Sequence, residues 1–125
     1  MKICGLKNAP VFSPIVAPYY SGMEVAVSLR KEELLIDPAQ IPQLYRSYYQ
    51  KGLVSFVENA DESGFLSAAA YSGRDDLEIT LVGNEDRLLV VARFDNLGKG
   101  ASGSAIQNMN LLLGVDEAEG LCIGG

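Results

Sequence analysis

From Gly22 to Arg30 the side chains alternate, with Met23, Val25, Val27 and Leu29 on one side of an extended chain and Glu24, Ala26, Ser28 and Arg30 on the other. A period of two predicts a β-strand with one buried face. The same period returns at Leu77, Ile79 and Leu81, which alternate with Glu78, Thr80 and Val82. Gly83, Asn84, Glu85 and Asp86 then supply turn residues before the apolar run Leu88 to Phe94, so the two runs predict a β-hairpin. Leu53 to Val57 predicts a further strand, and Val11 to Val16, interrupted by Pro14, predicts an edge or irregular one. Ser63 to Gly73 mixes Gly, Ser and Ala without a period and reads as a loop with one turn of helix.

Two segments carry helical spacing. At about 100° per residue, Ile41, Leu44, Tyr45, Tyr48 and Tyr49 share one arc and Gln43, Arg46, Ser47 and Gln50 lie opposite, with Gly52 as the stop. The start is set either by Asp37 as cap with Pro38 in the first turn, or by Pro42. The tyrosine stripe is read as core packing against a sheet. Further on, Ala105, Ile106, Met109, Leu112 and Leu113 occupy an arc about 120° wide, the width a core-facing stripe requires. Gln107 and Asn110 point the other way, and Leu111 among them suggests a second covered face, against another domain or subunit. Strands and helices in this order predict an α+β fold, a mixed, largely antiparallel sheet with helices packed on one face.

A glycine-rich run leads into that last helix: Asp95, Asn96, Leu97, Gly98, Lys99, Gly100, Ala101, Ser102, Gly103, Ser104. Small residues at a helix start allow another backbone or a ligand to come close, and the unpaired N–H groups there favour an anion or polar acceptor. Lys99 adds a positive charge at that place. Turn and capping requirements explain the same glycines without any ligand.

Composition narrows the choices. With 125 residues and 48% apolar content the chain is read as one domain, residues 1–125, around a single core. Ten Lys plus Arg against sixteen Asp plus Glu give a net charge of −6, which repels nucleic acid and anionic lipid. Two cysteines, Cys4 and Cys122, and no histidine exclude the usual zinc spacings, and both cysteines are read as free thiols. No apolar run reaches the length of a membrane span and no signal-peptide core opens the chain, so a cytoplasmic location is expected.

The stretch Asp95 to Gly114 closely resembles the C-terminal signature of the N-acetyl-γ-glutamyl-phosphate reductases, particularly their shorter form. Upstream, Ala9 to Leu29, with Pro10, Val11, Phe12, Ser13, Pro14 and then Tyr20, Ser21, Gly22, Met23, resembles the segment that follows the catalytic histidine of that family. The resemblance implies an α+β domain like the C-terminal domain of glyceraldehyde-phosphate dehydrogenase-type enzymes, which binds substrate and builds subunit contacts beside an NADP-binding Rossmann domain. It implies NADPH-dependent reduction of an acyl phosphate to the semialdehyde in arginine biosynthesis, through a cysteine thioester with a histidine as acid and base.

By the same resemblance, Lys99, Gly100, Ala101, Ser102, Gln107 and Asn108 stand near the nicotinamide end of the cofactor, and Tyr20 and Ser21 on the substrate side. Three departures limit this. No histidine is present; neither Cys4, in Ile-Cys-Gly, nor Cys122, in Leu-Cys-Ile, lies in the family's Asn-Pro-Gly-Cys-Tyr setting; and no Gly-x-x-Gly-x-x-Gly fingerprint holds a pyrophosphate. Tyr71 to Asp75 also replaces a Gly-Thr-Asn type turn. No catalytic residue and no metal ligand are therefore assigned, and NADP is expected to bind only in the complete enzyme. The partners expected are a second copy through the sheet face and the missing Rossmann domain. Two functions stay open, a fragment of the reductase inactive alone and a self-standing oligomerisation or regulatory module, and self-association is expected of either.

Overall fold

The computed structural model describes residues 3, 5, 7–84 and 86–124. The elements, in chain order, are β1 (Met23–Arg30), α1 (Ile41–Tyr48), β2 (Val54–Phe56), β3 (Leu77–Gly83), β4 (Arg87–Phe94) and α2 (Gly103–Leu113). The strands form one sheet in the order β1-β4-β3-β2. β1/β4 and β4/β3 are antiparallel and β2/β3 is parallel, so the mixed, largely antiparallel sheet of an α+β fold is as expected.

The hairpin closes because Asn84 Oδ1 accepts from the N–H groups of Asp86 and Arg87, both at 3.0 Å, a local bond that competes with any other course of the chain. Gly83, at φ 128°, is forced: a Cβ there would stand 2.1 Å from the Arg87 carbonyl. Both candidate starts of the first helix are used. Asp37 caps a 3-10 turn, Pro38–Gln40, through Ala39 N at 3.0 Å, and α1 follows with Pro42 in its first turn.

Register assigns the faces. Val54 pairs with Leu77, Leu77 with Phe94 and Phe94 with Met23, so the apolar sets of all four strands share one face. α1 covers the β2 side of that face, Tyr45 lying 5.7 Å from Phe56, and Ile41 and Ile79 are buried. Tyr45 also stacks on Tyr49, while Tyr48 is exposed, so only part of the tyrosine stripe packs inward.

The expectation of a buried face on β1 is corrected: Met23, Val25 and Val27 are 42%, 38% and 51% exposed, because no described element lies over that end of the sheet. The opposite face also holds deeply buried side chains, Thr80, Val91, Arg93 and Glu78. The loop 58–74 covers them. Arg93 donates to the carbonyls of Ala60 and Ser67 and to Glu78 Oε1 at 2.8 Å, and Tyr71 Oη donates to Glu78 Oε2 at 3.0 Å. Burial first, then the Glu78 charge, pushes the Tyr71 phenol up to about 12.

Three further expectations change. Val11 to Val16 forms no strand; its side chains are almost wholly exposed and it makes no backbone pair with the sheet among the described residues. Residues 63–73 are turns without a helix. In α2 the presumed core stripe faces outward, Met109, Leu112 and Leu113 being exposed, whereas Asn110 is buried and donates to the carbonyls of Glu117 and Glu119. Helical period distinguishes the two sides of α2 but cannot say which side this chain covers. Cys122 is free and exposed; Cys4, and Glu85 of the hairpin turn, lie outside the described residues. No described helix is long and apolar enough to cross a membrane.

Candidate functional site

The chain leaves β4 at Asp95 and turns sharply. Leu97 N and Gly98 N donate to Asp95 Oδ1 at 2.7 and 3.0 Å, and Ser21 Oγ donates to Oδ2 at 2.7 Å, with Gly73 N on the same oxygen. One carboxylate thus ties together the segment before β1, the loop before β3 and the start of the glycine run. Its burial would raise the pKa, but the bonds from Gly73, Ser21, Gly98 and Leu97 outweigh it and hold Asp95 at about 2. Asn96 Oδ1 fixes Gly22 N at 2.9 Å beside it.

The glycines have a local reason. A Cβ on Gly98 would stand 2.4 Å from the Arg74 carbonyl, and one on Gly103 would stand 2.3 Å from Asp75 Oδ1. Close approach at this helix start is therefore by the chain's own 74–75 backbone and side chain. The turn Gly98–Ser102 is a single π-helical turn, closed by Ser102 N on Leu97 O. The anionic acceptor that the sequence predicted for these N–H groups is supplied by Asp95 itself.

Around this anchor lies an open cavity of about 340 Å³, with Tyr20, Ser21, Ser72, Asp95 and Ser102 among its walls. Tyr20 and Ser21, proposed for substrate, and Ser102, proposed for cofactor, are brought together here. Tyr20 is 91% exposed, so its ring is free to meet a ligand. Ser21 Oγ is buried and shared between Asp95 and Ser72 Oγ at 2.5 Å. Ser102 Oγ donates to Leu97 O.

The remaining candidates lie elsewhere. Lys99 Nζ donates to Gln107 Oε1, and Gln107 Nε2 donates to Glu117 Oε2 at 2.8 Å. Desolvation lowers the Lys99 pKa, and the carboxylates of Glu117, Asp75 and Asp76 oppose that shift. Asn108 is exposed, with Nδ2 on Ser104 O; Gly100 and Ala101 are exposed as well. A phosphate does not fit this arrangement, because the lysine at the glycine turn is engaged with Gln107 and faces three carboxylates. Asp95, Ser72 and Glu117 were given no role in the site from the sequence. For Asp95 a signal exists, an Asp-Asn pair before a glycine run, the pattern of a side chain that caps its own turn. For Ser72 and Glu117 only the folded chain brings the partners together.

Residues 1–96 match the family profile described as semialdehyde dehydrogenase, dimerisation domain. The chain is 39% identical over 127 aligned residues to N-acetyl-gamma-glutamyl-phosphate reductase 2 of Nostoc sp. (strain PCC 7120), covering 94% of this chain and 39% of that protein. It is 39% identical over 116 residues to N-acetyl-gamma-glutamyl-phosphate reductase of Brucella ovis, covering 87% of this chain and 37% of that protein. The chain thus spans about two fifths of the length of these curated relatives. Among solved structures, aspartate semialdehyde dehydrogenase II from Vibrio cholerae shares the fold, with a TM-score of 0.55 and 21% identity over 75% of this chain and 28% of that one. The profile match over residues 1–96, most of the sequence, makes the chain a member of the semialdehyde dehydrogenase dimerisation-domain family.

Proposed function

We propose that residues 1–125 act as one domain, the C-terminal substrate-side and subunit-contact part of a cytoplasmic N-acetyl-γ-glutamyl-phosphate reductase in arginine biosynthesis. The observation that carries this reading is the cavity that joins Tyr20, Ser21 and Ser102 around the Asp95 anchor, built from the two segments that resemble the reductases. Its walls offer hydroxyls and a phenol, groups that orient a polar substrate and cannot themselves deliver a hydride or form a thioester. NADPH binding, the cysteine nucleophile and the acid–base histidine are assigned to the part of the relatives that this chain does not span. Lys99, Gly100, Ala101, Ser102, Gln107 and Asn108 would then border the nicotinamide end, with no phosphate contact of their own.

Two surfaces support the partners. The bare apolar face of β1 supports a second copy of the chain, and the exposed leucines of α2, Leu111, Leu112 and Leu113, support the NADP-binding domain. NADPH-dependent turnover of N-acetyl-γ-glutamyl phosphate, measured for the chain alone and after adding the purified N-terminal portion of the Nostoc relative, tests the proposal. Turnover by the mixture only is the expected result. A folded chain that stays silent in both would overturn it in favour of a non-catalytic oligomerisation or regulatory module.

A further inference from the structure

The cavity around Asp95 has its protons in a fixed order. Asp95 accepts at both oxygens, from Leu97 N and Gly98 N on Oδ1 and from Ser21 Oγ and Gly73 N on Oδ2. Ser21 has one hydroxyl proton and Asp95 takes it, so the 2.5 Å bond between Ser72 Oγ and Ser21 Oγ runs from Ser72 to Ser21. Ser72 then has no proton left and offers the cavity only lone pairs. Ser102 is in the same position, because its one proton lies on Leu97 O.

The backbone of the walls is spent as well. Besides the three N–H groups on Asp95, Ser72 N donates to Ala69 O, Asp75 N to Cys122 O and Ser102 N to Leu97 O. Asp75 brings a second carboxylate, which accepts from Cys122 N. Among the lining hydroxyls only Tyr20 keeps a free proton: it is 91% exposed, and its phenol makes no hydrogen bond among the described residues. A phosphate or carboxylate needs several donors or a cation, and here it meets two carboxylates and one phenol. An ammonium suits the acceptors and leaves the phenol unmatched; an amide, with one donor and one acceptor, matches both.

We infer that this cavity seats an uncharged amide, its N–H on Ser72 Oγ and its carbonyl oxygen on the Tyr20 phenol, and that Ser72 determines the preference for it. Ser72 is the stronger acceptor of the two serines, because its hydroxyl heads a chain of donated bonds that ends at a carboxylate. The inference rests on the reductase reading and deepens it. The acetamido group of the substrate is the amide seated here, and its phosphate and carboxylate stay with the part of the enzyme that this chain does not span.

The test follows the amide signals of Gly73 and Gly98 by NMR in the isotope-labelled chain, alone and with the N-terminal portion of the Nostoc relative. N-acetyl-L-glutamate is expected to shift both signals saturably. L-glutamate, and N-acetyl-N-methyl-L-glutamate with its carbonyl but no N–H, are each expected to bind about tenfold more weakly or worse, the cost of one unmade hydrogen bond. Ser72→Ala, at an exposed side chain, is expected to abolish the preference for the N–H, while Tyr20→Phe weakens both acetylated compounds alike. Inorganic phosphate is expected to leave both signals where they are. Equal binding of the N-methyl compound, or a shift of the two signals by phosphate, overturns the amide. Nicotinamide binding here in place of N-acetyl-L-glutamate gives the seat to the carboxamide of the cofactor and overturns the assignment to substrate. No shift with any of these compounds, alone or in the mixture, overturns the inference, and turnover of N-acetyl-γ-glutamyl phosphate by the same mixture decides the reductase reading separately.

Discussion

Asp95 shows how one side chain can decide a local structure. It is 2% exposed and accepts four hydrogen bonds, three of them from backbone N–H groups, two at the start of the glycine turn and one, from Gly73, in the loop before β3. Because its folded pKa, about 2, lies below the ordinary value of 3.8, it contributes stability that is present above the unfolded pKa and is lost as pH falls through the folded one. Asp95→Asn is therefore expected to cost about 2 kcal/mol at neutral pH, with the gap to wild type closing as pH falls from about 4 towards 2. Urea unfolding at a series of pH values checks it, and a gap that stays constant would count against the anchor. The Arg93–Glu78 pair makes a sharper case, since both groups are buried. Removing Glu78 leaves the buried Arg93 charge with two carbonyls and only the more distant, exposed Glu62 carboxylate at 3.4 Å, so Glu78→Leu is expected to destabilise the fold by about 3 kcal/mol, whereas the exposed pair of Arg30 and Glu33 is expected to matter little. Of the candidate site, Tyr20, Ser21 and Ser102 were named from resemblance alone, and all three line one cavity. Lys99 and Gln107 were legible as residues, but their engagement with Glu117 was not, because the bond depends on how the segment after α2 folds back.

Elements were legible where local pattern decides them. The alternation of Gly22 to Arg30 and the Asn84 turn fixed β1 and the hairpin, since strand period and turn chemistry are properties of neighbouring residues. Which face meets a core is a property of the whole chain, and there the pattern misled. β1 leaves its apolar face open, and the polar face of β3 and β4 is the buried one because Arg93, Glu78 and Tyr71 clamp a loop over it. Val11 to Val16 failed as a strand for a related reason, having composition without a partner. The start of β1 gives a prediction at this scale. Gly22 has φ 118°, and a Cβ there would stand 2.5 Å from the Ala68 carbonyl, a backbone atom that cannot swing aside. Gly22→Ala combines backbone strain with a clash and is expected to cost about 2 kcal/mol or more, read as a fall in melting temperature. Gly114→Ala is a useful control: it sits in the left-handed region at φ 70° with open space around it, so it meets strain alone and is expected to cost less than Gly22→Ala.

The whole molecule exposes 9132 Å². A compact monomer of 13.4 kDa is expected to expose about 6500 Å² by the usual scaling of surface with mass. Large apolar side chains stand exposed at Val11, Phe12, Ile15 and Val16 before β1, at Met23, Val25 and Val27 on it, and at Leu111, Leu112, Leu113 and Val115 around the end of α2. A standard interface buries about 800 Å² per partner, so the excess is large enough for more than one contact. This surface is the reason the chain's own pattern predicts burial that the chain alone does not provide. Anything that binds the folded form and not the unfolded one shifts the unfolding equilibrium, by about 2.7 kcal/mol at a hundredfold excess over the dissociation constant. For a chain of 125 residues that is expected to raise the melting temperature by several degrees when the N-terminal portion of the Nostoc relative is added, and to quench the fluorescence of a dye bound to exposed apolar surface. Leu112→Gln, on a side chain 89% exposed, is expected to leave the melting temperature of the isolated chain unchanged and to reduce that rise. If the substitution instead lowered the isolated chain's stability as much as a core change does, α2 would be packing inward in solution, and its leucines could not be the surface that receives the partner domain.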